Sequence, residues 1–195
     1  MDVRFLKSVF CKSGITRMTH SVQTLVFLRH GEKPDNDSGQ LTGKGLNRAL
    51  ALADLLIARY GKADALYAAA PKQSKLGNSL RSLQTITPVA VRLSLPVHLE
   101  FHAKETKALR DALLDKAHHG HTVFVVWEHD NLIKVVRDIL KQTGGDYSDM
   151  PAWPRDDFDS LWILTITRSQ TEITVTFSQE RQGLDNLDSY FPQVR

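Results

Sequence analysis

From Ser21 onward, the apolar positions of the chain switch between two kinds of spacing. Residues 24–28, Thr-Leu-Val-Phe-Leu, form a continuous apolar run bounded by charge, which suits a strand buried on both faces. Leu46, Ala49, Leu50, Ala53, Leu56, Ile57 and Tyr60 then recur at the helical period, with Thr42 as N-cap and Gly61 as the stop. Residues 65–69 read as a short strand, and a helical stretch from about 80 to 93 follows in which Pro88 must kink or restart the helix. Residues 97–99 make a brief strand and 106–116 an amphipathic helix. A second strongly buried strand spans 122–127, and a helix over 132–140 ends near Gly144-Gly145. After a Pro- and Asp-rich loop over 144–159, the segments 161–167 and 172–178 alternate around a short turn and predict a hairpin. Strands separated by helices predict an α/β fold. We expect three layers, α/β/α, with a mostly parallel central sheet closed by an antiparallel edge.

Composition narrows the class. The chain has 195 residues, 42% of them hydrophobic and 24% charged, which excludes wholesale disorder and collagen-like repeats. No apolar run approaches the roughly 18 residues a spanning helix needs. A single cysteine, Cys11, excludes a disulfide framework and a cysteine-cluster metal site, and no metal is expected. The net charge of +3 is misleading until it is divided along the chain. Residues 1–17 hold Arg4, Lys7, Lys12 and Arg17 against Asp2 alone, which leaves 21 of the 25 basic and 21 of the 22 acidic groups in the remainder. The excess therefore sits on the head, and phosphate-backbone binding by the body is disfavoured. We read residues 1–20 as a flexible basic extension, with an organelle transit peptide or a true start at Met18 as alternatives, and 21–195 as one domain. A cytoplasmic protein with neither membrane nor nucleic-acid partners is the expectation.

In an open α/β sheet, ligands bind beyond the carboxyl ends of the strands. The first buried strand runs directly into Arg29-His30-Gly31-Glu32, and the strand over 122–127 runs directly into Glu128-His129-Asp130. Two histidines at matching strand ends, one with an arginine beside it, point to chemistry more strongly than either would alone.

These residues are also recognisable. Leu28-Arg-His-Gly-Glu32 resembles the RHG signature of the histidine phosphatase superfamily, the phosphoglycerate mutase-like fold. Residues 41–49, LTGKGLNRA, look like its LTxxGxxRA segment, and residues 81–85, RSLQT, resemble the RAxQT segment that brings a second arginine. Residues 125–129, VVWEH, occupy the place of the strand leading to the second histidine. The resemblance spans about residues 22–180 and is nearest to the small bacterial-type phosphatase branch. It implies a cofactor-independent phosphatase in which His30 attacks phosphorus to give a covalent phosphohistidine, later cleaved by water. Arg29 and Arg81 are then the forks on the phosphate oxygens, and His129 stabilises the charge that builds on the transferring group. Arg48 is expected to be structural. For the leaving-group acid, Glu105 and Asp130 stand level, with Glu100 less favoured: many relatives place a Glu after the third strand and others an Asp after the second histidine. Glu128 flanks His129 where much of the family has Gly.

The expected partner is a phosphorylated small molecule or a phosphoprotein. Hydrolysis is favoured over isomerisation because the body lacks the long insertions of mutases. The rival reading is a phosphate-binding regulator of the same fold with little turnover, motivated by the uncertain acid. Nucleic-acid binding through the basic head is a third. His118-His119-Gly120-His121 reads as a solvated turn and not a metal site, Lys33 and Lys44 as cations near the pocket mouth or ordinary surface lysines, and 146–159 as one pocket wall, a partner surface or a plain connection.

Overall fold

The computed structural model describes residues 20–36, 38–74 and 76–191. The basic head up to residue 19, including Met18, lies outside them. Among the described residues, eight strands form: β1 (Ser21–Arg29), β2 (Ala65–Ala68), β3 (Lys72–Ser74), β4 (Gly77–Ser79), β5 (Val97–His98), β6 (Thr122–Trp127), β7 (Ser160–Arg168) and β8 (Ile173–Arg181). The helices are α1 (Gly43–Tyr60), α2 (Arg81–Leu93), α3 (Thr106–Leu113) and α4 (His129–Thr143), with a 3-10 turn at Lys116–His118. Six strands make the main sheet in the order β5-β2-β6-β1-β7-β8. The pairs β5–β2, β2–β6 and β6–β1 are parallel, whereas β1–β7 and β7–β8 are antiparallel.

The continuous apolar run of β1 is explained by its place between β6 and β7, with both faces covered. Leu25 and Phe27 point into a core shared with Leu109 and Leu113 of α3 and Leu132, Val135 and Val136 of α4. Val26 and Leu28 point the other way, among Leu52 and Leu56 of α1 and Ile86 and Val89 of α2. Three layers result, as the strand and helix periods require.

Local signals act as their chemistry dictates. Thr42 caps α1, its hydroxyl accepting from the Gly45 amide at 3.1 Å, and Gly61 ends the helix at φ 78°. Pro88 does not divide α2, which runs through it as one element. A proline inside a helix costs about 3 kcal/mol, but burial of a side chain such as Ile86 or Val89 contributes roughly 1.5–3 kcal/mol each, so the packed face prevails. The helix expected over 106–116 stops at Leu113 and hands over to the 3-10 turn, which Asp115 caps. α4 starts at His129, before its first apolar position, because that end faces a cavity and not the core.

Arg48, on α1, is fully buried and all five of its guanidinium N–H donors are engaged. Nε and Nη2 fork onto Glu32 at 3.0 and 2.8 Å; Nη1 reaches Asp159 at 2.9 Å and Gln182 at 2.8 Å; Nη2 also reaches Asp185 at 2.9 Å. Burial opposes its charge, but Glu32, Asp159 and Asp185 outweigh that and raise its pKa above the ordinary arginine value. The loop after β1 also lies hard against α1: a Cβ on Gly45 would sit 2.5 Å from the Glu32 carbonyl oxygen, and one on Gly31 2.9 Å from that of Gly45. Only glycine permits that approach. Replacing Arg48 by Met takes the buried cation from Asp159 and Glu32 and leaves them, among the described residues, only Arg181 at 3.2 Å and Lys44 at 3.8 Å, and we expect a loss of about 3 kcal/mol of stability, measurable by urea unfolding.

Candidate active site

Parallel pairing of β1 with β6 sets Arg29 opposite Trp127, so the residues that follow each strand emerge side by side. The pairing continues one step further, the His30 amide donating to the Trp127 carbonyl at 3.1 Å. Together with the amino end of α2 and the loops after β2 and β5, these strand ends enclose a cavity of about 360 Å³. Arg29, His30, Arg81 and His129 all line it. Its plainer wall is Ala69, Ala70 and Ala103, held by bonds from the Ala70 amide to the Phe101 carbonyl (2.8 Å) and from the Trp127 indole to the Ala103 carbonyl (2.9 Å).

His30 is 5% exposed, and its Nδ1 lies 2.8 Å from the Gly31 carbonyl oxygen. A carbonyl can only accept, so Nδ1 carries the proton and Nε2 keeps its lone pair. Burial pushes its pKa down from 6.5 to about 3, with Arg81, Arg29 and His129 acting in the same direction against the raising effect of the Gly31 bond. The ring is thus a neutral nucleophile of fixed tautomer.

The guanidinium of Arg29 is clamped from one side. Nη1 donates to the carbonyls of Arg155 and of Asp157, the latter at 3.2 Å, and its carbon sits 4.0 Å above the Phe158 ring. Nε is buried and unpartnered among the described residues, so the Nε/Nη2 edge faces away from the clamp. Burial lowers its pKa to about 10, with Arg81 adding to the shift while Asp157 opposes it. Arg81 Nε and His129 Nε2 are likewise buried with no hydrogen-bond partner among the described residues. His129 Nε2 lies 3.3 Å from Asp130 Oδ1, close enough for charge attraction but without hydrogen-bonding geometry. Burial, then Arg29, lowers the His129 pKa, against Asp130.

Both helices that meet the cavity do so with their amino ends. Arg81 opens α2 and His129 opens α4, and neither helix has a side-chain cap on its first turn. Each end carries about half a positive charge and free amides, which favours an anion between them.

The acid candidates separate in space. Glu105 is exposed and accepts from the His102 amide at 2.7 Å, so it holds its own turn before α3 and is not among the cavity-lining residues. Asp130 is exposed and also absent from the lining. Glu128 is the carboxylate that lines the cavity. Lys33 lines it too, whereas Lys44 lies 3.8 Å from Glu32 and takes no part. The 144–159 loop supports one wall, through Phe158 and the two carbonyls on Arg29. The histidine cluster sits at the opposite, amino end of the strands. Its turn is less solvated than the sequence suggests: His118 Nε2 lies 2.9 Å from the Tyr67 hydroxyl, and burial lowers the His118 pKa. Among the described residues, no group of three His, Cys, Asp or Glu side chains could hold a metal. Sequence reasoning overlooked the β3–β4 hairpin, which brings Lys72, Gln73 and Ser79 to the cavity. Gly77, at φ 115°, was its one visible signal.

No protein-family model matches the chain, and no curated protein matches its sequence. Solved structures do match in fold. A protein assigned as the phosphohistidine phosphatase SixA from Nakamurella multipartitia superposes with a TM-score of 0.53 at 18% identity, covering 80% of this chain and 95% of that one. The protein histidine phosphatase SixA complexed with tungstate gives 0.53 at 17% identity, with 82% and 97% covered. A mycobacterial glucosyl-3-phosphoglycerate phosphatase gives 0.51 at 14%, with 80% and 97% covered. The fold is therefore the phosphoglycerate mutase-like α/β fold. Among the described residues, no helix is long and apolar enough to cross a membrane.

The depressed pKa of His30 makes a signed prediction. Between pH 6.5 and about 3 the unfolded chain binds a proton that the native ring refuses. Its contribution is fully present above 6.5 and falls as the pH drops through that window. Stability at pH 5 should be lower than at pH 7 by up to roughly 2 kcal/mol from this group, and His30→Gln should flatten the slope in urea unfolding. In NMR spectra the His30 ring should not titrate between pH 5 and 8.

Proposed function

We propose that this chain, which has the phosphoglycerate mutase-like fold of the histidine phosphatases, is a phosphatase that hydrolyses a phosphomonoester or a phosphorylated side chain through a phosphohistidine on His30. The observation that carries the reading is the set of buried, unpartnered nitrogens on Arg29, Arg81 and His129 around the free Nε2 face of His30. Unpaired buried donors are costly, and a tetrahedral oxyanion is the group whose several oxygens would satisfy them at once. Tungstate in a SixA structure of the same fold is an oxyanion of that kind.

His30 Nε2 attacks phosphorus in line with the departing oxygen, forming the N–P bond as the ester P–O bond breaks and the leaving oxygen gains a proton. Arg29 presents its Nε/Nη2 edge and Arg81 its guanidinium to the equatorial oxygens, and His129 donates a hydrogen bond as charge builds there. Water then attacks phosphorus, the N–P bond breaks, and its electron pair returns to Nε2. No cofactor enters either step. The four resemblances along the sequence, RHG among them, support the same roles for the same residues.

p-Nitrophenyl phosphate should be hydrolysed between pH 4 and 8, with loss of turnover in His30→Ala and acid-labile phosphate trapped on the wild-type protein alone. Arg81→Ala should raise the barrier by about 2.7–4 kcal/mol, a fall in kcat of roughly a hundred- to a thousandfold. A wild type no faster than His30→Ala would overturn the reading, and orthophosphate binding by that protein would support a phosphate-binding regulator instead.

A further inference from the structure

We infer that Glu128 is the general acid–base of this site, a role that rests on the phosphatase reading above and assigns its leaving-group proton. Three observations converge. Among the carboxylates near the strand ends, Glu128 lines the cavity, whereas Glu105 is spent on the His102 amide and Asp130 is exposed beside His129. Glu128 occupies the N-cap position of α4 and makes no capping hydrogen bond, so its carboxylate is not committed to the first turn. Among the described residues it forms no ion pair either, although Arg29 and Arg81 line the same cavity. Its extended backbone, φ −86° and ψ 140°, continues β6, and β6 and α4 fix it on both sides. A carboxyl group held there, with no structural task, is free to exchange a proton with a ligand.

The balance closes without a further reactant. In the first step the carboxyl of Glu128 gives its proton to the ester oxygen as the P–O bond breaks and His30 Nε2 bonds phosphorus. In the second, the resulting carboxylate takes a proton from water as the water oxygen bonds phosphorus, the N–P bond breaks, and Glu128 is restored as the acid. His129, next in sequence, stays a hydrogen-bond donor to the phosphoryl oxygens throughout.

The dependence of kcat/KM on the leaving group tests this in the full chain. p-Nitrophenyl phosphate departs as a stable phenolate and needs little protonation, whereas glycerol phosphate departs as an alkoxide unless protonated. Glu128→Gln should lower kcat/KM for glycerol phosphate by about a hundredfold or more and for p-nitrophenyl phosphate by less than about fivefold, with Glu128→Asp recovering part of the difference. A folding or packing defect would reduce both substrates alike. Equal losses on the two substrates, no loss on either, or a steepened leaving-group dependence in Asp130→Asn but not in Glu128→Gln would overturn the assignment while leaving the phosphatase reading intact. Wild-type turnover no faster than His30→Ala on both substrates would overturn both.

Discussion

A guanidinium in the interior must find five acceptors or remain a costly orphan, and at Arg48 that demand organises the molecule. Its acceptors come from the loop after β1, from the residue just before β7 and from the segment after β8, so the fork ties Glu32 to Asp159, Gln182 and Asp185. Each tie positions something else. Glu32 lies two residues beyond His30. Asp159 closes the loop whose Arg155 and Asp157 carbonyls seat Arg29. Arg48 makes no contact with the cavity, yet two of the groups that line it hang from its partners.

The cavity gathers what proteins usually keep apart. Two arginines, two histidines and two helix amino ends meet with one carboxylate among them. Desolvation answers part of the repulsion by keeping His30 neutral, and the Phe158 ring answers another part beneath Arg29. The remainder stays as unsatisfied polarity. That polarity is stored by a rigid scaffold, so a bound anion would meet donors already oriented and desolvated.

Much of this was legible in the chain, and the parts that were not share a cause. The buried strands β1 and β6 announced themselves because burial on both faces leaves an unbroken apolar run. Thr42 and Gly61 marked the ends of α1 because capping is local chemistry. Arg29, His30 and His129 could be placed at one sheet end because strands carry their successors to that edge, whereas Arg81, at the start of α2, came from the family resemblance alone. Apart from Gly77, the β3–β4 hairpin left no trace in the sequence, because it packs little apolar surface and follows no hydrophobic period. Glu105 drew attention by its position relative to a family pattern, but its carboxylate closes its own turn back onto the His102 amide, a contact no spacing rule discloses. The restart that Pro88 allowed does not occur, because the buried face that holds α2 together runs on both sides of it. What the sequence withheld, in short, was the fate of individual polar groups once their neighbours were in place.

The position of β1 has a consequence for how the protein is made. Of the described strands, the first to leave the ribosome is the one whose hydrogen-bonding partners, Thr122–Trp127 and Ser160–Arg168, are made after every other described strand except β8. At the usual pace of about 5–20 residues per second, its apolar run waits on the order of ten seconds for a partner. During that interval the nascent chain carries a sticky segment with both edges open, and shielding by a chaperone would matter more for this polypeptide than its size suggests.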